Sequence, residues 1–277
     1  MKLTVTYGKG FEVGHASKVD FLESEFLKMS QVECPVVHRF GPGIYIREVT
    51  VPAGSAAIGH KQRFAQMNVF LRGRVTVVND DGTHTELVAP MTFVGPPGRK
   101  VGYVHEDMVW QNVYATDETD IEKLESMFLD KSEVWQNSQP KLIAVDYSAD
   151  FKEALKEFGF TEQQARDQSE NESDQIPFPH GSYKVAVADS PIEGKGLFAT
   201  ASILYKEIIA PARINGFRTP AGRFTNHSPT PNAKMVWIGS DIYLMALTAI
   251  HGCSGGIMGE EITIDYRDAL RLQIKEQ

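Results

Sequence analysis

The chain has 277 residues, a formal net charge of −8, 42% hydrophobic and 23% charged residues, ordinary values for a globular protein of one or two domains with a core to bury. No apolar run approaches the roughly 18 residues of a membrane-spanning helix, and Met1–Gly8 carries no apolar stretch of the secretory-signal kind, so no cleaved leader and no membrane partner is expected. Residues 181–277 hold 10 Lys and Arg against 9 Asp and Glu, leaving 18 against 27 in residues 1–180. Neither part has the dense basic stripe that neutralises phosphates, which argues against nucleic acid as a partner. Cys34 and Cys253, far apart in the chain, make neither a disulfide framework nor a four-ligand zinc site, and a reducing, cytoplasmic compartment is expected.

From about residue 43 to 115 the chain reads as short strands between turns. Tyr45, Arg47, Val49 and Val51 alternate with Ile44, Ile46, Glu48 and Thr50, and Pro52-Ala53-Gly54 ends the run. A second strand spans Met67–Val78, and Asn79-Asp80-Asp81-Gly82 is a hairpin signal. Strands are then predicted over Thr85–Val88 and Met91–Val94, followed by the turn Gly95-Pro96-Pro97-Gly98 and a strand over Met108–Tyr114. Short strands with Gly/Pro turns at regular spacing argue for a sandwich or barrel.

Helix follows. Thr119-Asp120-Ile121-Glu122 has the form of a capping box, with Leu124, Met127 and Phe128 as the apolar face behind it. A second helix is predicted from Asp150 to Phe158, and a third starts at Thr161 with Gln164 in the capping position. Arg166–Gln175 is acidic and has no hydrophobic residue, so it reads as linker. From Tyr183 the pattern is β again: Val185–Val187 is short, Asp241–Ile250 is apolar on both faces, and Glu261–Tyr266 alternates. The expected fold is mostly β, in three parts: a β-barrel domain over 1–145, a helical and acidic linker over 146–180, and a second β-rich domain over 181–277.

Three pieces of the last part stand in order: Gly194-Lys195-Gly196-Leu197-Phe198-Ala199-Thr200, Arg223-Phe224-Thr225-Asn226-His227-Ser228-Pro229-Thr230-Pro231-Asn232, and Gly259-Glu260-Glu261-Ile262-Thr263-Ile264-Asp265-Tyr266. Each alone reads as a turn, a polar loop or a solvated strand edge. Together and in this order they resemble the SET-domain protein lysine methyltransferases. That resemblance implies a knot-like β-rich fold, S-adenosyl-L-methionine as cofactor, and a protein bearing a target lysine as partner. It places Gly194, Lys195, Gly196 and Phe198 along the methionine part of the cofactor, and Asn226 and His227 at its amino-acid and adenine parts. Glycines let backbone approach a ligand closely. Tyr266 is the expected catalytic residue, its hydroxyl beside the transferring methyl, where oxygen atoms stabilise the positive charge.

The sequence departs from that family in ways that bear on substrate rather than cofactor. Only 29 residues stand between Gly196 and Asn226, where family members carry a longer insert forming a wall of the substrate groove. Ile264 stands where a tyrosine is common, Pro229 replaces a cysteine, and no cysteine cluster follows Tyr266. The competing expectation is a binding or virion-associated structural protein that keeps the fold without turnover.

In the first part, Gly54, His60 and Gly73, then Pro96-Pro97-Gly98 and the strand ending at Asn112, resemble the cupins, small double-sheet barrels that commonly pair through their sheet faces. The resemblance implies a homo-oligomer. The cupin metal positions read His60, Gln62, Gln66 and Val101, and amides and an aliphatic are poor ligands for transition metals, so a metal-free barrel is expected. His105 is out of register with them. Gly102–Trp110 resembles cupin-like modules of tailed-bacteriophage proteins, which extends the expected location to a virion; Tyr103 and Trp110 themselves read as core aromatics.

Overall fold

The computed structural model describes residues 15–78 and 82–274. The leader reading at Met1–Gly8 and the turn at Asn79–Asp81 lie outside the described residues. The chain opens with α1 (His15–Phe26), β1 (Val36–Gly41), β2 (Ile44–Val51), β3 (Ala56–Ile58) and β4 (Lys61–Gln62). Next come β5 (Gln66–Val78), β6 (His84–Val88), β7 (Met91–Gly95) and β8 (Val101–Ala115). Short elements follow: α2 (Ile121–Phe128), β9 (Leu129–Asp130), α3 (Glu133–Ser138), α4 (Ser148–Glu157) and α5 (Glu162–Glu170). The remainder is β10 (Gly181–Tyr183), β11 (Val185–Asp189), β12 (Lys195–Ala199), β13 (Ile208–Ile214), β14 (Phe217–Arg218) and α6 (Pro220–Arg223). It ends with β15 (Asn226–His227), β16 (Ala233–Ile238), β17 (Asp241–Ala246), β18 (Glu261–Ile264) and α7 (Tyr266–Ile274). The protein is mostly β.

An eight-stranded antiparallel sheet, in the order β10-β1-β2-β8-β5-β6, has β3 also paired to β8 and β7 also paired to β5. The long strands β5 and β8 serve different partners at their two ends. Gln66–Phe70 pairs with β7 and Arg74–Val78 with β6, while β8 meets β3 at Val101–Tyr103 and β2 at Met108–Ala115. Between those halves the β5–β8 register slips around Gly73. Gly73 has φ +101°, and a Cβ there would press on the backbone of Glu106, Asp107 and Met108, so this bulge needs glycine. The sheet wraps Val51, Phe70, Val75, Val104, Met108 and Trp110; of the sandwich or barrel that the strand pattern suggested, no closed hydrogen-bonded ring forms among the described residues. Trp110 is core, packed on Phe70 and Phe93. Tyr103 is not: it is 49% exposed, because it stands on the outward face of the strand.

Residues 185–264 hold two four-stranded sheets, β11-β12-β18-β15 and β14-β13-β17-β16. One apolar core joins them to the first sheet, through Phe40, Tyr45 and Tyr114 on one side and Leu197, Leu244 and Ile262 on the other. β10 continues that link by pairing with β1. β17 spans Asp241–Ala246 and buries Ile242, Leu244 and Ala246 on one face, with Tyr243 and Met245 half-buried on the other. Cys34 and Cys253 are neighbours despite their separation: the Cys253 thiol donates to the Cys34 carbonyl at 3.1 Å, and both are free.

The helices correct two expectations. The α2 N-cap is Asp120, whose carboxylate accepts from Lys123 N at 3.2 Å, one residue later than predicted. Thr119 Oγ1 is buried without a hydrogen-bond partner. The capping box at Thr161 and Gln164 forms as expected. Its helix runs to Glu170, into the acidic stretch read as linker, and Asp174 beyond it clasps the buried Arg218 through two hydrogen bonds of 2.8 Å. Among the described residues no helix is long and apolar enough to cross a membrane.

Candidate functional site

The sheet β11-β12-β18-β15 brings the three motif pieces together. β12 runs antiparallel to β18, with Leu197 opposite Ile262 and Phe198 opposite Glu261. β15 runs parallel to β18, with Asn226 opposite Thr263 and His227 opposite Ile264. Side chains alternate across strands, so Leu197, Ile262 and Ile264 fill the core while Glu261 lies on the other face beside Gly196. A Cβ at Gly196 would collide with the Glu261 carboxylate and sit 3.0 Å from Ser190 Cβ. The closeness that requires glycine at 196 is therefore to Glu261. Gly194 adopts φ +50° with open space beside it.

Asn226 stands at the centre. Its Nδ2 faces Glu261 Oε1 at 2.8 Å, Ser190 Oγ at 3.0 Å, and the carbonyls of Glu193 and Lys195 at 3.2 Å each. Two amide hydrogens thus meet four acceptors, a surplus of negative oxygen on one spot. Ser190 Oγ also donates to Glu261. Burial raises the Glu261 pKa, against the lowering effect of the Asn226 and Ser190 hydrogen bonds. Asn232, last residue of its motif, stitches β18 in place: its amide donates to Glu261 O at 2.8 Å, and its Oδ1 accepts from Thr263 N at 2.9 Å. Lys195 offers this spot its carbonyl and not its ammonium, which pairs with Asp189 at 3.0 Å and Glu122 at 3.1 Å. Phe198 is buried on β12.

Tyr266 is the first residue of α7, two residues past the strand it was expected to end. Its hydroxyl donates to Thr225 O at 3.2 Å. Its pKa is pushed up to about 12 by burial and by the charges of Glu193 and Glu261, so the phenol stays neutral. The Tyr266 backbone N–H donates to His227 Nδ1 at 3.2 Å. That fixes the ring's proton on Nε2, which donates to Asp150 Oδ2 at 2.7 Å. Asp150 in turn takes a two-pronged grip from Arg267, at 2.8 and 3.1 Å, and these bonds, first from Arg267 and then from His227, hold its carboxyl below the usual range. Asp150 belongs to α4, so a helix from the stretch read as linker lies over the site. Phe151 of the same helix sits 5.8 Å from the Tyr266 ring and 6.2 Å from His227.

Sequence reading missed Ser190, Asp150 and Phe151, and gave Glu261 no role. Only Glu261 carried a signal: it is a carboxylate opening the alternating Ile262-Thr263-Ile264 run within the third motif piece. In the first sheet, His60, Gln62 and Val101 line a partly open cavity, Gln62 also accepts from the Tyr114 hydroxyl at 2.9 Å, and Gln66 is buried with both amide atoms unpartnered. His105 lies with Thr76, at 2.7 Å. Among the described residues no three His, Cys, Asp or Glu side chains gather as a metal-holding group.

No family model matches the chain, and no curated protein matches it. Among solved structures it is similar to a cupin domain from Bordetella pertussis, with 14% identity and a TM-score of 0.26 over 32% of this chain and 98% of that one. A cupin-2 domain containing protein from Shewanella frigidimarina gives 15% identity and 0.25 over 37% of this chain and 99% of that one. A cupin domain from Schizosaccharomyces pombe gives 17% and 0.26 over 38% and 80%.

Proposed function

We propose that residues 181–277 form a minimal SET domain that methylates a lysine of a protein substrate with S-adenosylmethionine, and that residues 1–145 form a metal-free cupin-like domain. The observation that carries this reading is the convergence of Gly194–Gly196, Asn226–His227 and Glu261–Tyr266 on one spot through the parallel β15–β18 pair. The residues there suit the cofactor. Its ammonium and sulfonium are both cationic, and the spot is lined by the Glu193 and Lys195 carbonyls and the Glu261 carboxylate. When bound, S-adenosylmethionine supplies a methyl group activated on positively charged sulfur.

In this reading Gly194 keeps the loop backbone accessible, Gly196 lets the Glu261 carboxylate pack against the loop, and Asn226 fixes the Ser190–Lys195 loop. His227 anchors the turn into Tyr266. The Tyr266 hydroxyl, neutral and held by Thr225 O, keeps an oxygen lone pair free to face positive charge. Positioning two bound reactants accounts for much of the rate in a displacement of this kind. The short insert leaves one wall of a lysine channel missing, and α4 stands ready to supply it with Phe151. An apolar wall also favours the neutral amine that must attack.

A second reading, a binding or virion-associated protein without turnover, is favoured by the way Asn226, Ser190 and Glu261 satisfy one another. Methyl transfer to lysine-bearing protein from the native host separates the two. Tyr266→Phe keeps the ring and removes one oxygen, so turnover falls about 10²–10³-fold, the scale of losing one preorganised polar group, while cofactor affinity barely changes. Equal rates in the two proteins remove Tyr266 from the reaction, and no transfer by the native protein favours the second reading.

A further inference from the structure

The first sheet, with α1 and α3 beside it, lines a partly open cavity of about 300 Å³. Its sheet side is apolar: Val49, Val51, Val75, Met108 and Trp110. Arg47, Lys100 and His60 are set into that apolar lining. Arg47 Nε and His60 Nδ1 are both buried without a hydrogen-bond partner, which folded proteins rarely tolerate. His60 is held neutral, its pKa brought down to about 4 by burial and then by the charges of Arg47 and Lys131. Burial also lowers the Lys100 pKa, and no carboxylate pairs with Lys100 among the described residues. The acids nearby are already engaged: Glu23 by Arg99 and Ser132, and Glu125, whose charge reaches Arg47, by Lys131 at 2.7 Å.

We infer that this cavity binds a small organic carboxylate with an apolar body, its head taken by Arg47 and Lys100 and its hydrocarbon by Val49, Val51, Val75 and Trp110. A guanidinium fork matches the two oxygens of a carboxylate, and its buried Nε–H is the donor left without an acceptor. His60 Nδ1 sits beside it as a further polar contact, its ring fixed edge-on by Trp135 at 4.8 Å. A bare inorganic anion would leave the apolar wall unused, and an uncharged hydrocarbon would leave the buried donor unpaired. The site is separate from the Asn226–Tyr266 cluster, and the inference does not depend on methyl transfer.

The test is calorimetric titration of the full chain with a panel of straight-chain and aryl carboxylates, each beside the alcohol of matching skeleton. At least one carboxylate binds saturably at one per chain, and its alcohol binds about tenfold or more weakly, the scale of a lost hydrogen bond to a charged group. Arg47→Met weakens the carboxylate by about tenfold or more and leaves the alcohol unchanged. Lys100→Met gives the same pattern more weakly and serves if Arg47→Met does not fold. No saturable carboxylate, equal binding of acid and alcohol, or native affinity in the folded variants overturns the inference.

Discussion

His38 is 1% exposed in the shared core, its Nδ1 2.7 Å from the Tyr45 hydroxyl, and burial brings its pKa down from 6.5 to about 3. His60 is lowered to about 4. Unfolded, both imidazoles take up a proton below about pH 6.5, while the folded state refuses it, so stability is lost as pH falls from there toward 3–4. The slope approaches about 1.4 kcal/mol per pH unit for each histidine. Glu261, with its raised pKa, has the opposite sign: folded protein keeps a proton that the unfolded chain has released, so its contribution declines as pH rises above about 4.5. Urea unfolding between pH 7 and 4.5 is expected to show stability falling with acid, and His38→Gln to flatten the fall. A midpoint independent of pH over that range contradicts this account of the buried histidines. Placement was legible where a motif fixes it: Gly196 and Asn226 both meet Glu261, and Tyr266 lies against His227. It was not legible where the contact crosses the chain. Asp150 reaches His227 over 77 residues, and nothing in the Asp150 neighbourhood announces it.

The strands were legible by alternation. β2 spans Ile44–Val51 as predicted, and β5, β6 and β7 agree to within a residue at most ends. β8 begins at Val101, seven residues before its predicted start, because Gly102 and the polar Glu106 and Asp107 disguise a strand with a slipped register. β10 is three residues, Gly181-Ser182-Tyr183, too short to carry a period, and its partner β1 is known only from the pairing. Gly73 marks the point where β5 changes partner. Gly73→Ala is expected to destabilise the protein by about 1–3 kcal/mol, through backbone strain at positive φ and contact with the β8 backbone. Denaturant unfolding reads this directly, and a variant as stable as native shows that the bulge tolerates a side chain. The α2 cap moved from Thr119 to Asp120 because both residues suit the position, and packing of Ile121 and Leu124 chose the register.

The whole molecule buries residues from both ends of the chain in one core, so substitutions at Tyr45 or Leu197 are felt by both β regions. One outer face stays apolar: Met67 and Val94 lie directly opposite each other on β5 and β7, 43% and 66% exposed, with Leu71 and Val88 also exposed. Exposed apolar patches of this kind mark association surfaces. Light scattering of the full chain is expected to report a dimer or larger, and Val94→Glu to shift it toward monomer. A native chain that is monomeric at high concentration removes this surface from the account. The expectation of sheet-rich architecture came from strand spacing. The joining of the two β regions did not, because long-range contacts leave no mark on local pattern.

Titration of the full chain with S-adenosylmethionine, followed by calorimetry, tests the central claim most directly. Micromolar binding is expected, unchanged in Tyr266→Phe and weakened in Asn226→Ala by roughly 1–3 kcal/mol, the cost of a buried hydrogen-bond partner lost. No heat of binding at millimolar cofactor, or native affinity in a folded Asn226→Ala protein, contradicts the claim.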